Sequence, residues 1–150
     1  MSAPAEAPGS RAARVRSEIR DTLARLAHLA DLGDPREYAA CFAEDALWEV
    51  SAGAELPIPP AALRGRDAIL AGAIERRAAG VQGPGTFTAH AVSTTSVEID
   101  GSRAVARSLF MFYTGLDGAP ALAAVGRYTD VFAEQPDGAW LLAHRSITRE

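Results

Sequence analysis

At Gly80–Gly85 the chain changes character, and that change limits its fold more than any other feature. Beyond it, Thr86–Ile99, Arg103–Thr114, Ala121–Glu134 and Ala139–Thr148 are rich in Val, Thr, Phe and Tyr. Such residues fit a pleated, half-buried surface, so each run is predicted to be a strand. Asp100-Gly101 and Asp117-Gly118 suit tight hairpins between them, and Pro136-Asp137-Gly138 a slightly longer one. Ahead of the change the periodicity is helical. Val15, Ile19, Leu23, Leu26 and Ala30 form one apolar stripe from Ser10 onward, and Gly33 is its expected stop. Helices followed by an antiparallel meander make an α+β chain, with the helices closing one face of the sheet.

The helical half holds smaller signals. Asp34-Pro35-Arg36-Glu37 has helix-start chemistry: Asp34 can cap, Pro35 suits the first helical position, and Glu37 can reach back. Phe42–Ala46 then hands over to an apolar strand, Leu47-Trp48-Glu49-Val50. Ser51–Leu63 contains Pro57, Pro59 and Pro60 and reads as a loop able to overhang a pocket. Arg64-Gly65-Arg66-Asp67 opens a helix through about Ala79, with Ile69, Ala73 and Ile74 as its buried positions and Leu70 as a further candidate.

A chain of 150 residues is one domain's worth, expected over residues 10–150 behind a disordered leader at 1–9 that is rich in Ala and Pro. The net charge of −4 and scattered, balanced arginines argue against a nucleic-acid footprint or a basic membrane patch. No run approaches the roughly 20 apolar residues of a membrane span. Cys41 is the single cysteine, expected to be buried and inert, and MSAPAEAPGSRAAR does not read as a signal peptide. A cytoplasmic protein is therefore expected.

Common catalytic motifs are absent: no glycine-rich phosphate loop, GxSxG elbow or HExxH occurs. His28, His90 and His144 lie far apart and no CxxC accompanies them, so neither a metal site nor a cofactor is expected. His90 stands between Ala89 and Ala91, which leave room for a ligand. Strict alternation would put His90 and Val97 on opposite faces, so both turn inward only if a bulge lies between them. Asp31 falls to the side of the first helix's stripe. It reads either as a solvated helix-end residue or as a carboxylate held against an unfavourable helix dipole for a purpose.

The order of these elements resembles the SnoaL-like proteins, a branch of the NTF2-like superfamily whose cone-shaped fold wraps a curved, mostly antiparallel sheet around a pocket. The resemblance is carried by Asp31, Phe42-Ala43-Glu44-Asp45-Ala46, Arg64–Ile69, His90 ahead of Val97–Gly101, and Gly126-Arg127-Tyr128-Thr129-Asp130 ahead of Asp137–Trp140. Asp31 and His90 look like the Asp–His pair of scytalone dehydratase, bile-acid 7α-dehydratase and hexachlorocyclohexane dehydrochlorinase. The pair's chemistry is coherent: imidazole removes a proton, and a carboxylate on its other nitrogen fixes the tautomer. Those enzymes often carry a tyrosine five positions before the aspartate, where this chain has Leu26. The acid would then come from Tyr38, Tyr113 or Tyr128.

The resemblance thus implies a cofactor-independent lyase, isomerase or cyclase acting on a small apolar molecule, cyclic or polyketide-like. Asp31 and His90 are the expected catalytic residues. Tyr38, Trp48, Phe112, Arg127 and Tyr128 are the expected substrate-binding set, although the residues alone read Trp48 and Phe112, like Phe110 and Trp140, as core sooner than ligand wall. Arg127 and Tyr128 are neighbours in a strand and cannot both face the pocket. The alternative is a non-catalytic binding or accessory module, as in the β-subunits of ring-hydroxylating dioxygenases. In either case the resemblance implies a homodimer or homotrimer.

Overall fold

The computed structural model describes residues 2–51 and 61–149. Its elements run α1 (Pro8–Leu32), α2 (Pro35–Ala40), β1 (Phe42–Val50), β2 (Ala61–Arg64), α3 (Arg66–Ala78), β3 (Ala89–Asp100), β4 (Arg103–Thr114), β5 (Ala121–Glu134) and β6 (Trp140–Arg149). All strands belong to one curved six-stranded sheet in the order β2-β1-β6-β5-β4-β3. Neighbours are antiparallel except β1, which lies parallel to β6.

Local chemistry explains most boundaries. α1 buries Val15, Ile19, Leu23, Leu26 and Leu29 at helical spacing and lies along β3. Gly33 ends it with an extended backbone pressed so closely on Leu29 that a Cβ would collide. The Asp34 side chain accepts from the Arg36 N–H at 2.8 Å, with Pro35 in the first helical position, so the expected cap forms. α3 opens on Gly65 at φ 92°, in the left-handed region that favours glycine, and Arg66 donates two hydrogen bonds to the Phe42 carbonyl.

Four expectations need correction. α1 begins at Pro8, two residues before Ser10. β1 begins at Phe42, five residues before Leu47, because Phe42 pairs with Leu142 of β6 across a register shift. Most of the Ser51–Leu63 loop, residues 52–60, lies outside the described residues; its end, Ala61–Leu63, is strand β2, paired on β1. Ile74 is 47% exposed, and the buried face of α3 is Ile69, Gly72 and Ala73.

The core lies between α1 and the inner sheet face, around Val15, Ile19, Phe42, Ala106, Phe132 and Leu142. Trp140 is buried at the sheet's end, where its backbone N–H reaches Glu18. Cys41 is buried and its thiol pKa is raised by that burial, which makes it a poor nucleophile. None of the helices, among the described residues, is long and apolar enough to cross a membrane.

Candidate active site

The concave side of the sheet holds a cavity with ≈ 50 Å³ of space open to the centre of a water molecule, within ≈ 640 Å³ of non-atom space that includes open solvent. Aromatic and aliphatic side chains dominate its wall, among them Leu26, Trp48, Val92, Phe110, Phe112 and Ile147. Its polar groups are Asp31 behind His90, together with Tyr38, Tyr128, Arg76, Gln82 and Arg145.

Asp31 and His90 are 59 residues apart in sequence, and the fold brings them into contact. One carboxylate oxygen of Asp31, Oδ1, accepts from His90 Nδ1 at 2.7 Å, and Oδ2 accepts from the His90 backbone N–H at 2.9 Å. Ring and backbone are clamped by one side chain, which fixes where the imidazole points. Asp31 is only 7% exposed, so it is not a solvated helix-end residue. A buried carboxylate needs hydrogen-bond donors, and His90 supplies two.

A bulge of the kind that would let both His90 and Val97 face inward is present. Pairing between β3 and β4 shifts register between Ser93 and Ser96, and Thr94 takes φ 52°. Consequently Val97 enters the core while His90 lines the cavity. The His90 ring sits 4.7 Å from the Phe112 ring, centroid to centroid. Its Nε2 has no hydrogen bond to the described residues. In the neutral tautomer that donates Nδ1–H to Asp31, Nε2 carries a lone pair, the arrangement that a general base uses.

Of the five expected substrate-binding residues, Tyr38, Trp48, Phe112 and Tyr128 line the cavity. Arg127 does not: it is exposed, because its neighbour Tyr128 takes the inward side of β5. Tyr128 stacks on Phe110 with centroids 4.5 Å apart, and the Arg145 guanidinium lies 4.0 Å over its other face. Burial pushes the Tyr128 phenol well above its ordinary pKa, against the opposing pull of Arg145, so it keeps its proton and can donate it to a hydrogen bond. Gly126 makes this stack possible, since a Cβ there would strike the Phe110 ring. Tyr113 bonds to Met111 and is not part of the wall.

Two arginines were not expected here. Arg145 is 4% exposed and forms a two-bond pair with Asp130, at 2.8 and 3.0 Å. It shares the inward face of β6 with Ile147, a signal open to a reading of that strand's alternation. Arg76 stands on the stripe Ile69, Gly72, Ala73, Arg76, whose spacing marks the buried face of α3. Its guanidinium lies 4.5 Å over the Trp48 ring. Among the described residues no cluster of His, Cys, Asp and Glu could hold a metal ion.

No curated protein matches the chain. Solved structures do. An NTF2-like protein with a cystatin-like fold from Novosphingobium aromaticivorans is 27% identical, with 96% of this chain and 90% of that one covered at TM-score 0.74. A protein of Catenulispora acidiphila, in complex with S-DNPA, is 24% identical, with 91% and 94% covered at TM-score 0.72. The β-subunit of a putative aromatic-ring-hydroxylating dioxygenase from Novosphingobium aromaticivorans is 20% identical, with 93% and 91% covered at TM-score 0.71. The family model of the SnoaL-like domain matches residues 11–146, and with the cone-shaped α+β fold around Asp31 and His90 the chain belongs to the SnoaL-like family.

Proposed function

We propose that the protein is a cofactor-independent lyase, isomerase or cyclase that works on a small, largely apolar, cyclic or polyketide-like molecule by proton abstraction. The observation that carries this reading is the Asp31 clamp on His90, with Nε2 bare toward an aromatic cavity. In this scheme His90 Nε2 takes a proton from the carbon beside a carbonyl, and the C–H electron pair moves to the carbonyl oxygen, forming an enolate. Asp31 holds the resulting imidazolium. A phenolic O–H of Tyr38 or Tyr128 donates to the enolate oxygen, and neither hydroxyl is engaged by a described residue. The enolate then expels a β-substituent, takes a proton elsewhere, or attacks a second carbonyl of the same molecule. These outcomes are lyase, isomerase and cyclase chemistry.

The likeness to a dioxygenase β-subunit favours a second reading, a binding or accessory module with the same cavity and no turnover. Nitrogen-15 NMR of the neutral His90 ring, with a deuterium-exchange assay on a panel of cyclic ketones, separates the two. A protonated Nδ1, a bare Nε2 and exchange at the carbon beside the carbonyl are expected. An Nε2–H tautomer, or no exchange with any ketone that binds, would leave the module.

We propose a homodimer or homotrimer. Phe87, Leu116 and Leu122 leave apolar side chains exposed around one end of β3, β4 and β5, and a partner copy would cover them. Light scattering in the micromolar range checks this, and a monomer there would refute it.

A further inference from the structure

Arg76 differs from the other inward-reaching arginines around this cavity. Arg66 donates to the Phe42 carbonyl, Arg77 to the Leu29 carbonyl, and Arg145 to both oxygens of Asp130. Arg76 has neither a hydrogen bond nor an ion pair to the described residues, and its contact is the face of Trp48. Burial lowers its pKa, only partly opposed by Tyr38, Tyr128 and Glu75, so the charge is poorly compensated where it stands. Among the described residues no cavity carboxylate remains to serve it. Both oxygens of Asp31 are taken by His90, both oxygens of Asp130 by Arg145, and Glu75 is exposed on the outer side of α3.

The side chain is only half-buried, so its donors stay within reach of a ligand, and partly desolvating a guanidinium without an acceptor still has a cost. With its Cζ 4.5 Å over the Trp48 ring and no described acceptor, the fork keeps N–H donors available, and a planar fork of donors suits a two-oxygen anion. We propose that Arg76 binds an oxyanion of the ligand, and that the ligand is an aromatic or polycyclic molecule carrying a carboxylate or an acidic enol oxygen. The inference rests on the same cavity as the proposed function and names its substrate class. It does not require His90 to act as a base. For an enzyme that forms an enolate, the same guanidinium stabilises the charge that develops on the oxygen.

Calorimetric titration with 2-naphthoate and with 2-acetylnaphthalene, which shares the ring system but is uncharged, tests the proposal. Wild type is expected to bind naphthoate at least about tenfold more tightly than the ketone. Arg76→Met is expected to remove that preference while ketone affinity stays within about twofold, and the retained ketone binding reports an intact cavity. Arg76→Lys, which keeps the charge and loses the fork, is expected to hold part of the preference. It decides the matter if the methionine variant does not fold. Absence of any preference in wild type, survival of the full preference in the Arg76 variants, or failure of both ligands to bind would overturn the proposal. His90→Gln separates the two readings, since it is expected to lose deuterium exchange and keep the naphthoate preference.

Discussion

Asp31→Asn is expected to lower turnover by about 10²–10⁴-fold with the fold and cavity intact. The substitution preserves size, and an asparagine oxygen can still accept from the His90 backbone N–H, as Oδ2 does at 2.9 Å. What changes is the 2.7 Å contact to Nδ1. An amide can present its N–H there, which favours the tautomer with the proton on Nε2 and removes the lone pair from the cavity. It also removes the charge that supports the imidazolium. His90→Gln, which deletes the base outright, is expected to cost at least as much. The readout is the rate of deuterium incorporation beside the carbonyl of the best exchanging ketone, with circular dichroism to confirm folding. A rate for Asp31→Asn within about twofold of wild type would remove Asp31 from the mechanism.

The largest stability effect is expected at Asp130. Asp130→Ala should destabilise the protein by about 3–5 kcal/mol, because it strands a fully buried guanidinium. Burial by itself works to lower the Arg145 pKa; the charge and hydrogen bonds of Asp130 overcome it, and the net shift is upward. With Asp130 at 0% exposure, no solvent is at hand to replace the lost oxygens. The double variant Asp130→Leu, Arg145→Met should recover most of the loss, since apolar residues of similar volume leave no charge to satisfy. Damage should also reach the cavity wall, where Arg145 covers Tyr128 and Tyr128 stacks on Phe110. Urea titrations of the three proteins check this. A loss below about 1 kcal/mol for Asp130→Ala would mean that the pair is solvated.

Much of the fold was legible in the chain. β4 and β5 run over the residues that their Val, Thr, Phe and Tyr content marks, Arg103–Thr114 and Ala121–Glu134. Turn glycines bound the meander, with Gly101 at φ 59° and Gly138 at φ 88°. The stripe of α1 and the Asp34-Pro35 helix start are equally local, and each follows from side chains within a few residues of one another. The bulge in β3 was legible only as a condition, since His90 and Val97, of opposite parity, can both face inward only with one between them; the fold supplies it.

The remainder depended on contacts distant in sequence. Periodicity placed Asp31 off the apolar stripe of its helix, and only the approach of β3 to α1 turned that side position into the clamp on His90. Nothing local to Phe42–Val50 specifies a parallel partner, so the pairing of β1 with β6 and the extension of β1 back to Phe42 emerged only on assembly of the sheet. Arg127 and Tyr128 alternate by rule, but which of them faces inward is set by the side of the sheet that α1 covers. Asp130 meets Arg145 only because a register shift between Val131 and Phe132 moves the β5–β6 pairing by one residue. Sequence by itself determined α1, the helix start at Asp34-Pro35 and the strands of the meander, since those choices rest on neighbours along the chain. Tertiary structure decided which charged groups share a cavity, because register and packing bring together residues that no local pattern relates.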